Sequence, residues 1–154
     1  MDKQIDTSTG SGSDRVKVFR EFIDSLVAQD MERFFAIWHD DAVLEIPYAP
    51  AGHPNRLEGK AALRAYLKDF PNLVAITGFP EQTLYELQDV SKAIAEVSCS
   101  GKVLSNGNDY NISYVWVFEV RDGLLYRLRD YWNPLAVLGA MGGAEALKNV
   151  LGEH

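Results

Sequence analysis

The chain has 154 residues, of which 47% are hydrophobic and 24% charged, a composition typical of a folded domain rather than of a disordered or membrane protein. Its formal net charge of -7, from 15 basic and 22 acidic residues, opposes binding to nucleic acid or to anionic lipid. A single cysteine, Cys99, excludes an internal disulfide, and no apolar run approaches the ~18 residues that span a bilayer. We therefore expect a cytoplasmic protein with neither a nucleic-acid nor a membrane partner.

The first half of the chain predicts helices. Residues 1–13 are polar, rich in Ser, Thr and Gly, and predict a disordered arm ahead of a single domain over 14–154. Ser13 or Asp14 can cap a first helix, in which Phe22 belongs to an apolar stripe with helical spacing. The segments that follow predict a second short helix, a turn with a brief strand, a loop, and a third helix that ends at Pro71; they are MERFFAIWH, DDAVLEIPYAP, AGHPNRLEGK and GKAALRAYLKDF.

The second half predicts strands. Four strand-like runs cover residues 74–90, 92–104, 109–120 and 124–132, with turn signals at SNGND and RDG. A short helix then begins at Pro134 and ends at Gly142. Helices followed by a long antiparallel run indicate an α+β fold, with helices packed on one face of a curved sheet.

One face of the run 109–120 is almost wholly aromatic. Because strand side chains alternate, the residues that share this face are Tyr110, Ile112, Tyr114, Trp116 and Phe118. Such a row is compatible with an ordinary core or with a ligand pocket. Two hydroxyls and an indole N–H on an inward face need hydrogen-bond partners, which favours the pocket.

Asp130 lies on an apolar face of the last strand. Alternation places it with Tyr126, Leu128 and Trp132, whereas Leu125, Arg127, Arg129 and Tyr131 share the opposite face. Such a carboxylate is either a general acid or base with a raised pKa, or a structural group that pairs with an arginine or caps the helix at Pro134. Asn133 already occupies the cap position and the arginines face away, which favours the functional interpretation.

Several other side chains are candidates for a site. His53, in the loop APAGHPN, could overhang a cavity mouth and transfer a proton, whereas His39 is expected at a solvated helix end. Tyr48, Tyr66 and Tyr114 can donate hydrogen bonds to a ligand oxygen. No phosphate loop, nucleophile elbow or metal-ligand spacing is present in the sequence.

Three segments resemble a known family: FFAIWHDDAVLEIP, GKAALRAYLKDFP and, most specifically, VFEVRDGLLYRLRDYWNPLAVLGAMG. They are similar to proteins of the nuclear transport factor 2 type, in the branch of polyketide cyclase-like (SnoaL-like) and phenazine-biosynthesis A/B-like proteins. The resemblance implies a cone-shaped fold with a deep cavity, a homodimer whose subunits meet through their sheets, and chemistry without metal or organic cofactor. It also implies that Asp130 is a proton donor or acceptor.

The sequence departs from this family pattern at two places. Ketosteroid isomerases, which share the fold, carry their general base where this chain has Ile46. Phenazine-type relatives carry a His and a Ser on the third helix where this chain has Ala62 and Tyr66. Both departures argue against those particular reactions.

Two function hypotheses follow, with a third ranked last. The first is a cofactor-independent cyclase, isomerase or condensing enzyme of secondary metabolism that acts on an apolar or aromatic cyclic metabolite. Asp130 and His53 would be catalytic, and the pocket would comprise Phe22, Tyr48, Tyr66, Tyr114, Trp116 and Trp132. The second is a non-catalytic small-molecule binding protein or inactive partner of a biosynthetic enzyme. The third, a limonene-type epoxide hydrolase, needs an Asp-Arg-Asp set, and only one inward acid is evident.

Overall fold

A computed structural model describes the backbone of residues 3–5 and the whole of residues 12–143. Its helices are α1 (Asp14–Ala28), α2 (Met31–Ala36), α3 (Lys60–Leu67), α4 (Phe70–Leu73) and α5 (Pro134–Met141). Its strands are β1 (Lys3–Ile5), β2 (Trp38–Glu45), β3 (Arg56–Glu58), β4 (Val74–Glu86), β5 (Lys92–Val103), β6 (Asp109–Arg121) and β7 (Leu124–Trp132). The four long strands match the four predicted runs.

All the strands form one sheet, in the order β1-β4-β5-β6-β7-β2-β3. Every pair is antiparallel except β2 and β7, which run parallel. The backbone of Lys3–Ile5 pairs with Leu84–Glu86 of β4, so the predicted disordered arm contains a short strand there. The remainder of that arm before residue 12, like the end of the predicted domain after residue 143, lies outside the described residues.

Helix α1 covers the concave face of the sheet and packs against β4, β6 and β7. Ser13 is its N-cap and accepts a hydrogen bond from the backbone N–H of Val16. Arg15, only 8% exposed, fixes the start of the helix to the β4–β5 turn, since its Nη1 donates to the carbonyls of Leu87 at 2.9 Å and Lys92 at 3.0 Å. The apolar stripe of α1 is thereby held over the sheet.

Irregular pairing bends the sheet around this helix. The β4–β5 register shifts on both sides of Gly78, and the β6–β7 register shifts between Glu119 and Val120. Extra residues of this kind increase strand bending and twist. The sheet consequently forms the open concave surface on which the core is built.

The shift in β7 corrects one prediction from alternation. Val120 pairs with Leu125 but Glu119 pairs with Arg127, so Tyr126 is the additional residue. Leu125 therefore turns inward, at 2% exposure, although alternation placed it with the arginines. The ring of Tyr126 instead lies 3.8 Å from the guanidinium carbon of Arg121.

Three predicted boundaries also differ. His39 belongs to β2 rather than to the end of a helix, and Arg56–Glu58 forms a short strand inside the predicted loop. Pro71 lies within α4 instead of simply ending the third helix, because proline is tolerated in the first turn, where its missing N–H has no intrahelical partner.

Candidate active site

A cavity opens between the helices and the concave face of the sheet. The space between its walls is about 550 Å³, a figure that includes open solvent at its mouth. Its wall is mostly apolar and is lined by Phe22, Leu26, Phe34, Trp38, Leu44, Leu67, Phe70, Ile76, Phe79, Cys99, Tyr114, Trp116, Leu128 and Asp130. The arrangement brings one carboxylate into an otherwise apolar enclosure.

Strand pairing places Asp130 opposite Trp116 of β6. The Trp116 indole Nε1–H donates to Asp130 Oδ1 at 3.0 Å. The side chain of Asn133, not that of Asp130, caps α5 by accepting from the backbone N–H groups of Leu135 and Ala136. Among the described residues no arginine or lysine forms an ion pair with Asp130. The geometry thus differs from that of a paired or capping carboxylate.

Burial raises the pKa of Asp130 from 3.8 to about 7, and the hydrogen bond from Trp116 lowers it by a smaller amount. The residue as a whole is half-buried, because the cavity leaves part of it open. A carboxyl group with a pKa near 7 is present in both protonation states at neutral pH. It can therefore accept a proton in one step and return it in the next.

Two tyrosines of β6 form a hydroxyl pair beside this carboxylate. The hydroxyl oxygens of Tyr110 and Tyr114 lie 2.5 Å apart, and only Tyr114 lines the cavity. Burial raises the pKa of Tyr110 to about 12 and that of Tyr114 well above 10.0, and the negative charge of Asp130 adds a smaller effect in the same direction. Both hydroxyls consequently stay protonated at neutral pH and can donate.

The structure brings together four of the predicted site residues: Phe22, Tyr114, Trp116 and Asp130 all line the cavity. Tyr66 of α3 is 37% exposed, and its pKa is raised by burial and then by the charge of Asp130, which places it near the carboxylate. In the part of the chain that the structure describes, the cavity lining does not include Trp132, which packs against the core at its edge.

The remaining two predicted residues lie away from the cavity wall. Tyr48 is 61% exposed and packs against Tyr131, with ring centroids 5.6 Å apart. His53 is exposed in the loop between β2 and β3, where its backbone N–H donates to the carbonyl of Pro50. The structure does not bring His53 to Asp130, and its catalytic role stays a prediction.

Sequence reasoning missed three polar groups: Cys99, Tyr110 and Trp38, whose buried indole N–H has no hydrogen-bond partner among the described residues. Cys99 of β5 lines the cavity at 1% exposure, and burial raises its pKa to about 12, so it is a neutral thiol. The alternation of buried residues in β5 was a signal that could have found it. Tyr110 was assigned to the aromatic face but not to the site, although its spacing of four residues from Tyr114 puts both on that face.

Burial accounts for the departure from the ketosteroid isomerase pattern. Ile46 is 3% exposed and belongs to the hydrophobic core, which leaves no acid at the place of the isomerase base.

Within residues 12–143, no group of at least three His, Cys, Asp or Glu side chains is arranged to hold a metal ion. No described helix is long and apolar enough to cross a bilayer.

A curved sheet wrapped around N-terminal helices, with an acid near the end of the last long strand inside the cone, defines a protein of the nuclear transport factor 2-like fold. Residues 19–128 match the SnoaL-like domain, and the chain belongs to that family. This confirms the superfamily and branch that the sequence motifs indicated.

Several relatives support the assignment. The uncharacterized protein YesE of Bacillus subtilis is 43% identical over 83% of this chain and 87% of its own length. An uncharacterized PhzA/B-like protein of Pseudomonas aeruginosa, PA3332, is 36% identical over 75% of this chain and 81% of its own. A crystal structure from Bacillus subtilis, provisionally named an isomerase, is 42% identical, covers 85% of this chain and 94% of its own, and superimposes with a TM-score of 0.81.

Proposed function

We propose that this protein is a cofactor-independent isomerase or cyclase that moves a proton on a small, mostly apolar, cyclic metabolite. The observation that carries this proposal is the carboxyl group of Asp130, which lies in an apolar cavity without an ion-pair partner among the described residues and has a pKa of about 7. The SnoaL-like family and the isomerase name of the Bacillus subtilis structure agree with this class of reaction.

The chemistry begins with ionised Asp130 as a base. Its carboxylate takes a proton from a carbon next to a substrate carbonyl; the C–H electron pair forms an enolate, and the negative charge moves to the carbonyl oxygen. Where a carbon–carbon double bond of the substrate is conjugated with the enolate, protonated Asp130 returns the proton to the far carbon of that dienolate and the double bonds shift, which is isomerisation. Alternatively, the enolate carbon attacks a second carbonyl of the same molecule and Asp130 protonates the resulting alkoxide, which is cyclisation.

Tyr114 is suited to hold the oxygen on which this charge develops. Two hydroxyls have two protons, and the Tyr110–Tyr114 hydrogen bond uses one of them. When Tyr110 donates to Tyr114, the proton of Tyr114 remains for a ligand in the cavity. A hydroxyl that accepts one hydrogen bond is a stronger donor in the next, and a donor fixed before the reaction stabilises an enolate more than water does.

The test is deuterium exchange into 2-indanone, a cyclic ketone, catalysed by the full chain in D₂O and followed by proton NMR. Asp130→Asn should reduce the enzyme-dependent rate by at least ~100-fold, and Tyr114→Phe by ~10- to 100-fold. Asp24→Asn, an exposed change on α1, is the matched control and should leave the rate unchanged. The rate should rise with pH and level off above about 7.

Exchange at the wild-type rate in Asp130→Asn would contradict the assignment of the proton to Asp130. Absence of enzyme-dependent exchange, with 2-indanone bound in the cavity, would favour the non-catalytic binding protein. That alternative has one specific observation behind it: the described cavity wall contains a single carboxyl group and no histidine that could serve as a second acid or base. The described cavity wall also lacks the second acid and the arginine that a limonene-type epoxide hydrolase needs.

A further inference from the structure

The described wall of the cavity contains no lysine, arginine or histidine. Its only group that ionises near neutral pH is Asp130, and its other polar side chains are the neutral hydroxyl of Tyr114, the indoles of Trp38 and Trp116 and the thiol of Cys99. An anionic ligand would therefore meet a negative charge and no positive one.

The arginines of α2 and α3 lie outside the cavity wall. Arg33 of α2 pairs with Glu21, with Nη2–Oε1 and Nε–Oε2 distances of 2.6 and 2.9 Å. Arg64 of α3 pairs with Glu32 at 2.7 Å, and its guanidinium carbon lies 4.6 Å from the ring centroid of Phe35. Both arginines are more than 40% exposed and each pairs with a carboxylate outside the cavity, so neither supplies a positive charge to the cavity wall in this structure.

The energetic consequence is large for an anion. A carboxylate or phosphate loses its hydration in an apolar cavity, and this loss is recovered only through a counter-charge or several hydrogen bonds. Repulsion from ionised Asp130 adds to the cost. An ammonium ligand would pair with Asp130 and thereby withdraw the group that must accept a proton.

We infer that the ligand of this cavity is an uncharged cyclic ketone or enone whose oxygen accepts a hydrogen bond from Tyr114, and not a carboxylic acid or a phosphate. This inference rests on the proposed function and specifies the substrate class of the same site. It separates this chain from any relative that binds an acidic substrate through a basic side chain in the cavity.

The experiment compares three compounds that share one ring system: 2-indanone, indane-2-carboxylate and 2-aminoindane. Their affinities for the full chain are measured by titration calorimetry at pH 8, where the carboxyl of Asp130 is mainly ionised. The ketone should bind at least ~10-fold more tightly than the carboxylate, as expected for like charges at close range in a medium of low polarity. Equal or tighter binding of the carboxylate, or binding of none of the three, would overturn the inference; 2-aminoindane, whose ammonium can pair with ionised Asp130, is the positive control for entry into the cavity.

Two variants test the electrostatic cause. Asp130→Asn keeps the size of the side chain and removes its charge, so indane-2-carboxylate should gain several-fold in affinity relative to 2-indanone. Leu67→Lys adds a positive charge to the cavity wall and should favour the carboxylate further, with Leu67→Met as its uncharged control. If Leu67→Lys does not fold, the affinity ratio in Asp130→Asn still decides, and an unchanged ratio there would argue against repulsion as the cause.

The outcomes distinguish this inference from the proposed function. Preferential binding of 2-indanone without deuterium exchange would refute catalysis and leave the inference about the ligand intact. Deuterium exchange that depends on Asp130, together with equally tight binding of indane-2-carboxylate, would refute the inference and leave catalysis intact.

Discussion

Asp130 and Trp116 show how a carboxyl group can be kept in an apolar cavity without becoming fully neutral. Burial favours the protonated form, and the indole N–H of Trp116 stabilises the ionised form by donating to Oδ1. Burial is the larger effect, so the pKa rises to about 7 instead of falling, as it would beside an arginine. The stability of the folded chain should reflect the same balance.

The first prediction at the residue scale is that Asp130→Asn stabilises the protein at neutral pH. The folded pKa of Asp130 is raised from 3.8 to about 7, so the folded state binds the proton more tightly than the unfolded chain. Ionisation therefore costs stability as pH rises from 3.8 to about 7, and the cost is constant above both values. Asp130 is half-buried, so solvent reduces the effect below the value that the full pKa shift would give. We therefore expect Asp130→Asn to gain ~1 to 3 kcal/mol in unfolding free energy at pH 8 and less at pH 5.

Urea denaturation of both proteins at the two pH values measures this difference. Asp24→Asn is the control and should stay within ~0.5 kcal/mol of wild type at each pH. A marked loss of stability in Asp130→Asn at pH 8 would show that the carboxylate has a structural partner, and would remove the basis for its proposed role.

At the scale of the elements, the site depends on the irregular pairing of β4 with β5. Ile76 pairs with Gly101 and Gly78 with Ser100, so Thr77 is the additional residue of β4. Gly101 is buried, and a Cβ atom built on it would clash with the carbonyl oxygen of Ala75. The strands can approach at this point only because residue 101 has no side chain. The cavity residues Ile76 and Cys99 lie on either side of this contact.

We therefore predict that Gly101→Ala destabilises the protein by ~2 kcal/mol or more, because strand backbone must move to relieve the overlap. The matched control is Gly78→Ala on the facing strand, where a Cβ would have no neighbour within 4 Å; it should cost less than ~1 kcal/mol. Thermal melts of the two variants provide the comparison. Equal stability of the two would show that β4 adjusts without cost.

At the scale of the whole molecule, the outer face of the sheet has the features of an interface. The side chains on this face, opposite the buried ones of β6 and β7, include Ser113, Val115, Val117, Arg127 and Arg129. Val115 is 37% exposed, and a groove lined in part by Val117, Arg127 and Arg129 also contains the acidic side chains of Glu45 and Glu119. A surface with an exposed valine, a half-buried one and charges of both signs can be complementary to itself across a two-fold axis.

We propose that two copies of the chain associate through this face. Light scattering at micromolar concentration should give a mass twice the 17.2 kDa of the chain. Val115→Asp should shift the protein toward monomer, because it places a charge at the centre of the contact. Val90→Asp, in the β4–β5 turn at 80% exposure, should not. A monomeric wild-type protein, or dissociation caused equally by both variants, would contradict the proposed interface.

Local signals in the sequence determined much of this protein. Turn residues and alternation located β4 to β7 within a few residues, since both depend on neighbours in the chain. The same periodicities placed Phe22, Tyr114, Trp116 and Asp130 on faces that meet in the cavity. They could not indicate that Tyr126 is an additional residue in β7, because a register shift is set by the pairing of two strands.

Only the tertiary structure decided the environment of each residue of the candidate site. The pKa of Asp130 depends on walls contributed by α1 to α4, β2 and the four long strands, and no local pattern specifies which side chains those elements will bring within a few ångströms. The exposure of His53 and Tyr48, the hydroxyl pair of Tyr110 and Tyr114, and the outward pairing of Arg33 have the same origin. Alternation assigns a residue to a face of its own strand or helix, whereas desolvation and electrostatic interactions depend on what the rest of the chain packs against that face.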